Sequence, residues 1–182
     1  RLPCTVAMMV MMAIPKRLCQ DLVRVVFAVE EGDVAEAYLL YSAFWKHLRA
    51  SRWWYNVAMS PQFVRMVLCI PILQLALTEG SRNTDNVCTA LYATIDIVQL
   101  LVWIKPAIDI RMNHAVALAA VMEKVGQGSE QARELATMMA SLHPRVGLRF
   151  LGFIVTWKLV GQVATITSIL LPVLQYYVKQ RN

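Results

Sequence analysis

Two ionisable side chains stand in surroundings that would normally exclude them. Asp96 lies within VCTALYATIDIVQLLVWI (Val87–Ile104), and Lys158 lies near the start of TWKLVGQVATITSILLPVLQYY (Thr156–Tyr177). A charge inside an apolar run marks an ion pair, a wetted path or a ligand contact. Counted along their helices, Asp96 falls ~14 Å below one end of its run and Lys158 ~12 Å from the opposite face, at 1.5 Å per residue. In a hydrocarbon slab of ~30 Å these heights agree to ~4 Å, so the two can pair across adjacent helices or both face water. Lys105 and Asp109 stand one turn apart and are expected to pair with each other.

Other reactive residue types are scattered. His47, His114 and His143 have neither metal-ligand spacing nor the spacing of a proton relay, and Cys4, Cys19, Cys69 and Cys88 form no C-x-x-C. No metal site and no cofactor are expected. Cys69 and Cys88 flank a short polar loop, which leaves a disulfide between them open. No nucleophile elbow, Walker loop or dinucleotide fingerprint is present.

The elements that would hold these residues are helical and apolar. Hydrophobic residues make up 58% of the chain and charged residues 16%, and mean hydropathy is +0.49. So few charges cover a water-facing exterior poorly, whereas a lipid-facing one needs no such cover. The composition points to an all-α, polytopic membrane protein whose first partner is the lipid bilayer. The net charge of +6 then marks inner loops instead of a nucleic-acid partner.

Candidate spans are 2–14, 57–77, 87–108 and 150–178. The first is short for a span, and the chain is expected to open inside a truncated one. Between them lie polar helices over 16–52 and 111–143. Leu18, Leu22, Val25, Val26 and Val29 form one apolar stripe, and Val34, Tyr38, Tyr41, Trp45 and Leu48 a second, with Glu30-Glu31-Gly32-Asp33 between them. Ser129 is placed as the N-cap of a helix whose apolar face is Ala132, Leu135, Ala136, Met139 and Leu142, ended by His143-Pro144. No β pattern competes anywhere. Lys16–Arg52 carries six Lys/Arg, Arg111–Arg149 five, and the loop between the middle spans only Arg82. That asymmetry puts both long polar segments in the cytoplasm and the C-terminus outside.

The final helix also carries a likeness. Ser168-Ile169, then the apolar Leu170–Leu174, then Gln175-Tyr176 resembles the closing signature of insect gustatory and odorant receptors and their gustatory-receptor-like relatives: Thr-Tyr, five apolar residues, Gln-Phe. Gln175 and the aromatic after it match; the Thr-Tyr pair does not, and Pro172 is an intruder. The approach SLHPRVGLRFLGFIVTWKLV also looks like the family's, with a polar helix, a proline break and a Gly-Phe entry. The layout of cytoplasm, out, cytoplasm, out matches the family's last four spans.

The resemblance implies a subunit of a tetrameric, ligand-gated, non-selective cation channel in the plasma membrane, and not an enzyme. Cytoplasmic helices would form a central anchor, and the outer half of each last helix would line one pore. Carried over, Ser168, Ile169, Pro172 and Gln175 would stand near the pore, the apolar ones as a dewetting gate. Tyr92, Asp96 and Gln99 would border a small-molecule pocket completed by further spans. The alternatives are a secondary transporter using Asp96 and Lys158, and a membrane-embedded lipid enzyme.

Overall fold

Gly32 and Asp33 decide how the first two helices meet. Gly32 adopts φ +88, a region that costs glycine nothing. Its N–H donates to Val29 O at 3.1 Å and the Asp33 N–H to Ala28 O at 2.9 Å, closing the preceding helix. Asp33 Oδ1 then accepts from the Glu36 N–H at 2.9 Å and opens the next helix. The computed structural model describes the backbone of residues 2–78 and 84–181, with side chains over 6–61 and 87–169 except 7, 8, 11, 100 and 103.

The chain is all-α apart from one small turn of sheet. Helix α1 (Leu2–Glu31) is followed by α2 (Val34–Thr78), α3 (Thr84–Gly126) and α4 (Glu130–Leu142), a 3-10 turn (His143–Arg145), strands β1 (Arg149–Phe150) and β2 (Phe153–Ile154), and α5 (Trp157–Arg181). Helices α1, α2 and α3 pack mutually, α4 folds back on α3, and α5 leans mainly on α2. Helix α3 runs unbroken from its apolar half through Lys105 and Asp109 into 111–126, as the pattern suggests, and α1 and α2 are likewise continuous through 14–16 and 52–57. Pro15 and Pro106 are absorbed within α1 and α3.

The core gathers at one end. Leu18, Leu22, Val25 and Val29 of α1 are buried against Tyr41, Phe44, Leu48 and Tyr55 of α2 and against Ile104, Ala107, Ile110, Ala117 and Val121 of α3. The α1 stripe falls where helical spacing puts it. The α2 stripe is displaced: Val34, Ala37, Tyr41, Phe44 and Leu48 are buried, while Tyr38 is exposed and Trp45 half-buried. Two faces share positions 34, 41 and 48. Ala37 is fully buried, and Phe44 packs on the Tyr41 ring at 5.7 Å, which sets the face.

Helix α4 matches expectation closely. Ser129 Oγ accepts from the Ala132 N–H at 3.2 Å, and Ala132, Leu135, Ala136 and Met139 are buried. The segment after α4 departs from the all-helical expectation. A β-hairpin occupies 149–154, with Leu151 at φ 49 and Gly152 at φ 85 making the two-residue turn that suits twisted strands. The last helix therefore begins at Trp157, not Phe150, and Thr156 Oγ1 accepts from the Leu159 N–H at 3.2 Å at its start.

Gly147 lets the chain enter the hairpin. It holds φ +131, and a Cβ there would stand 2.6 Å from Ile154 Cγ2. Gly147→Ala should cost about 1–3 kcal/mol through backbone strain and this clash. Thermal unfolding in detergent measures it; a midpoint equal to wild type would show that the hairpin entry tolerates the change.

Candidate functional site

The structure brings together two histidines that the sequence leaves 29 residues apart. Helix α3 carries His114 on its buried face, one turn after Ile110 and one before Ala117. Helix α2 presents Tyr41 from the opposite side. The 3-10 turn after α4, begun at His143 and stiffened by Pro144, supplies the third member. Tyr41 Oη lies 2.8 Å from His114 Nε2, and His114 Nδ1 lies 3.0 Å from His143 Nδ1. His114 and Tyr41 are fully buried. The rings stack at 5.6 Å between Tyr41 and His114 and 5.2 Å between His114 and His143.

Burial shifts the titration of His114 and Tyr41. Burial lowers the His114 pKa to about 4, with His143 and Arg111 adding repulsion. Burial also raises Tyr41 above the ordinary phenol range. Near neutral pH the neutral imidazole donates through one nitrogen and accepts through the other, so both neighbours are satisfied without a buried charge. The triad ties α2, α3 and the segment leading to α5. It is a correction to the expectation of scattered histidines. Its residue types were visible, but folding back α4 is what joins His143 to His114, and no spacing rule reports that. His47 belongs elsewhere: its Nδ1 meets Asp21 Oδ2 at 3.2 Å across α1 and α2.

The residues singled out in the sequence are dispersed. Lys158 sits exposed in the first turn of α5 rather than about eight residues into it, because the hairpin takes up 149–154. Helix α5 leans mainly on α2, and Asp96 on α3 takes part in a polar interaction. Lys105 Nζ does bind Asp109 Oδ2, at 2.5 Å. Tyr92 and Gln99 are exposed and Asp96 half-buried on α3. Ser168 is half-buried and Ile169 exposed on α5, and the side chains of Pro172 and Gln175 lie outside the described residues. Cys88 is an exposed free thiol, and the Cys69 side chain lies outside the described residues.

A hollow of about 160 Å³ lies under the hairpin, walled by Met59, Ile104, Phe150, Phe153, Leu159 and Val163 among others. Its walls are apolar, so it favours hydrocarbon over water. It is separate from the residues expected to border a ligand pocket. Among the described residues no three side chains form a metal-binding group. Comparison with protein-family models, curated proteins and solved structures finds no match to this chain.

Two outcomes check the buried triad. His114 excludes a proton in the folded state, so its contribution is complete above the ordinary histidine value of about 6.5, declines as pH falls and is gone below about 4. The loss is on the order of 3 kcal/mol. Unfolding midpoints measured across that range should slope for wild type and flatten for His114→Phe; equal slopes would contradict the assignment. Tyr41→Phe leaves His114 Nε2 without its partner and should cost about 1–3 kcal/mol at neutral pH by chemical unfolding.

Proposed function

We propose that this chain is part of a membrane-embedded channel subunit of the gustatory- and odorant-receptor-like kind, its packed base in the cytoplasm and its last helix beside a shared pore. One observation carries the reading. Helix α2 has 45 residues and α3 has 43, roughly 65 Å each at 1.5 Å per residue, about twice a ~30 Å hydrocarbon slab. One end of α3 joins the common core. The other exposes Val87, Leu91, Tyr92, Ile95, Val98 and Val102, a surface that suits lipid and neighbouring spans. Residues 57–77 of α2 are apolar in sequence apart from Arg65 and a few uncharged polar residues.

The order of elements supports the same reading. A polar helix, a proline-led turn, a short connector and then an apolar helix is the approach the resemblance describes. On the base, Met112 and Val116 of α3 are exposed one turn apart and fit a contact between subunits of a tetramer. In the channel, the outer half of α5 from Ser168 through Gln175 would face the pore, and Tyr92, Asp96 and Gln99 would approach a small-molecule ligand. The buried Tyr41–His114–His143 triad lets the base act as a rigid support for α5.

Single cysteines placed from Ser168 to Gln175 in the whole subunit should react with a charged thiol reagent on one helical face, and modification there should reduce ligand-evoked cation current. Protection at every position would remove the pore role. Asp96→Asn should shift the ligand concentration for half-activation by roughly tenfold, the effect of losing a charged hydrogen bond of about 1.4 kcal/mol; an unchanged value would take Asp96 out of the ligand pocket.

A further inference from the structure

Arginines collect where the core meets the apolar half of the molecule, and among the described residues none of them is in a salt bridge. Residues 37–78 and 135–182 contain no Asp or Glu, yet they contribute Arg49, Arg52, Arg145 and Arg149 to one corner. The Arg52 guanidinium donates to Arg145 O at 2.6 Å, stands 5.5 Å over the Trp45 ring, and lies close enough to Arg149 and Arg49 for their charges to act on it. The hairpin is held against the same part of α2, where the Leu151 N–H donates to Asn56 Oδ1 at 3.2 Å.

The hydrogen-bonding of this corner is incomplete. Arg52 Nε, Arg149 Nε and, one turn along α2, Tyr55 Oη are buried without a partner, and Tyr55 is 0% exposed. Buried donors normally have acceptors, and like charges drawn together normally have an anion between them. Burial, then Arg149 and Arg49, hold Arg52 below its ordinary range, which is the effect an anion would relieve. Arg52 and Arg149 each remain partly exposed, so an anion can reach their guanidinium forks from outside.

Apolar groups ring the cluster. Trp53 and Trp54 are exposed and meet edge to face at 4.7 Å, and Leu151, Phe153 and Trp157 of the hairpin and α5 start are exposed too. Indole rings beside arginines, with apolar tips next to them, suit the boundary between headgroups and acyl chains. Guanidinium forks match phosphate oxygens two at a time. We propose that Arg52 and Arg149, assisted by Arg49 and Arg145, form a binding site for the phosphate of an anionic lipid headgroup in the cytoplasmic leaflet, with the exposed hairpin tip seated among its acyl chains. The site rests on the membrane reading above. By fastening the hairpin to the bilayer, a bound lipid would fix the start of α5.

The test uses the whole purified protein in detergent, equimolar phosphatidylglycerol and phosphatidylcholine as probes, and native mass spectrometry as readout, with flotation on phosphatidylcholine vesicles run in parallel. Retention of phosphatidylglycerol should exceed that of phosphatidylcholine and fall about fivefold for each arginine removed, the worth of a basic residue at an anionic surface. Arg52→Gln/Arg149→Gln should abolish the preference. Arg49→Gln/Arg145→Gln, whose side chains are exposed, should weaken it without disturbing the fold. Equal retention of both lipids by wild type, or a preference unchanged in both double variants, overturns the proposal while flotation leaves the membrane reading standing. Displacement of the phosphatidylglycerol by millimolar inorganic phosphate identifies a free-anion site and overturns the headgroup assignment. Failure to float overturns both.

Discussion

Helices α2 and α3, roughly 65 Å long each, set the length of the molecule; in the membrane reading proposed above, each would extend well past a ~30 Å slab. Helices α2 and α3 satisfy their own backbone groups throughout, so each can pass from one environment to another without a break. What changes along them is the company of the side chains. At one end they bury against α1 and α4 in a shared core; at the other, α3 turns branched and aromatic residues outward. The connector and α5 start at the junction, where a small displacement of the base would be passed to the last helix.

The base is rigid for reasons that go beyond apolar packing. Its one fully buried imidazole, among the described residues, is His114, and it is bonded at both nitrogens. A buried polar network satisfied along its length specifies one arrangement of the helices it joins, because any slip leaves donors or acceptors unpaired. Three elements distant in sequence are fixed this way. The same logic explains the arginine corner by its opposite: there the donors outnumber the acceptors the chain provides, and the deficit marks a place where something else belongs.

Much of the helical plan is legible in the sequence. The turn at Gly32-Asp33, the cap at Ser129, the face Ala132–Met139 and the stop at His143-Pro144 all follow from local chemistry, and local chemistry is what a sequence displays. The α2 face is ambiguous because positions 34, 41 and 48 fit two stripes, and only contact with α1 and α3 chooses between them. The hairpin is hidden because two-residue strands give no alternating pattern; Gly147 and Gly152 are its visible traces, alongside Thr156 as the cap that starts α5. Those few residues move Lys158 to the helix start. The Tyr41–His114–His143 triad is out of reach for another reason: it depends on where α4 lands. The arginine corner is half visible, since two long segments free of acids announce unbalanced charge before any contact is known.

Whether α3 lives in two solvents is read out by side-chain accessibility in a reconstituted bilayer. Spin labels at Leu91, Ile95 and Val98 should collide with oxygen far more than with a water-soluble nickel chelate, while labels at Glu123 on the same helix and Arg133 on α4 should show the reverse. Equal access to the nickel chelate at all five positions would mean that the whole helix is bathed in water, and no bilayer-spanning role for it would survive.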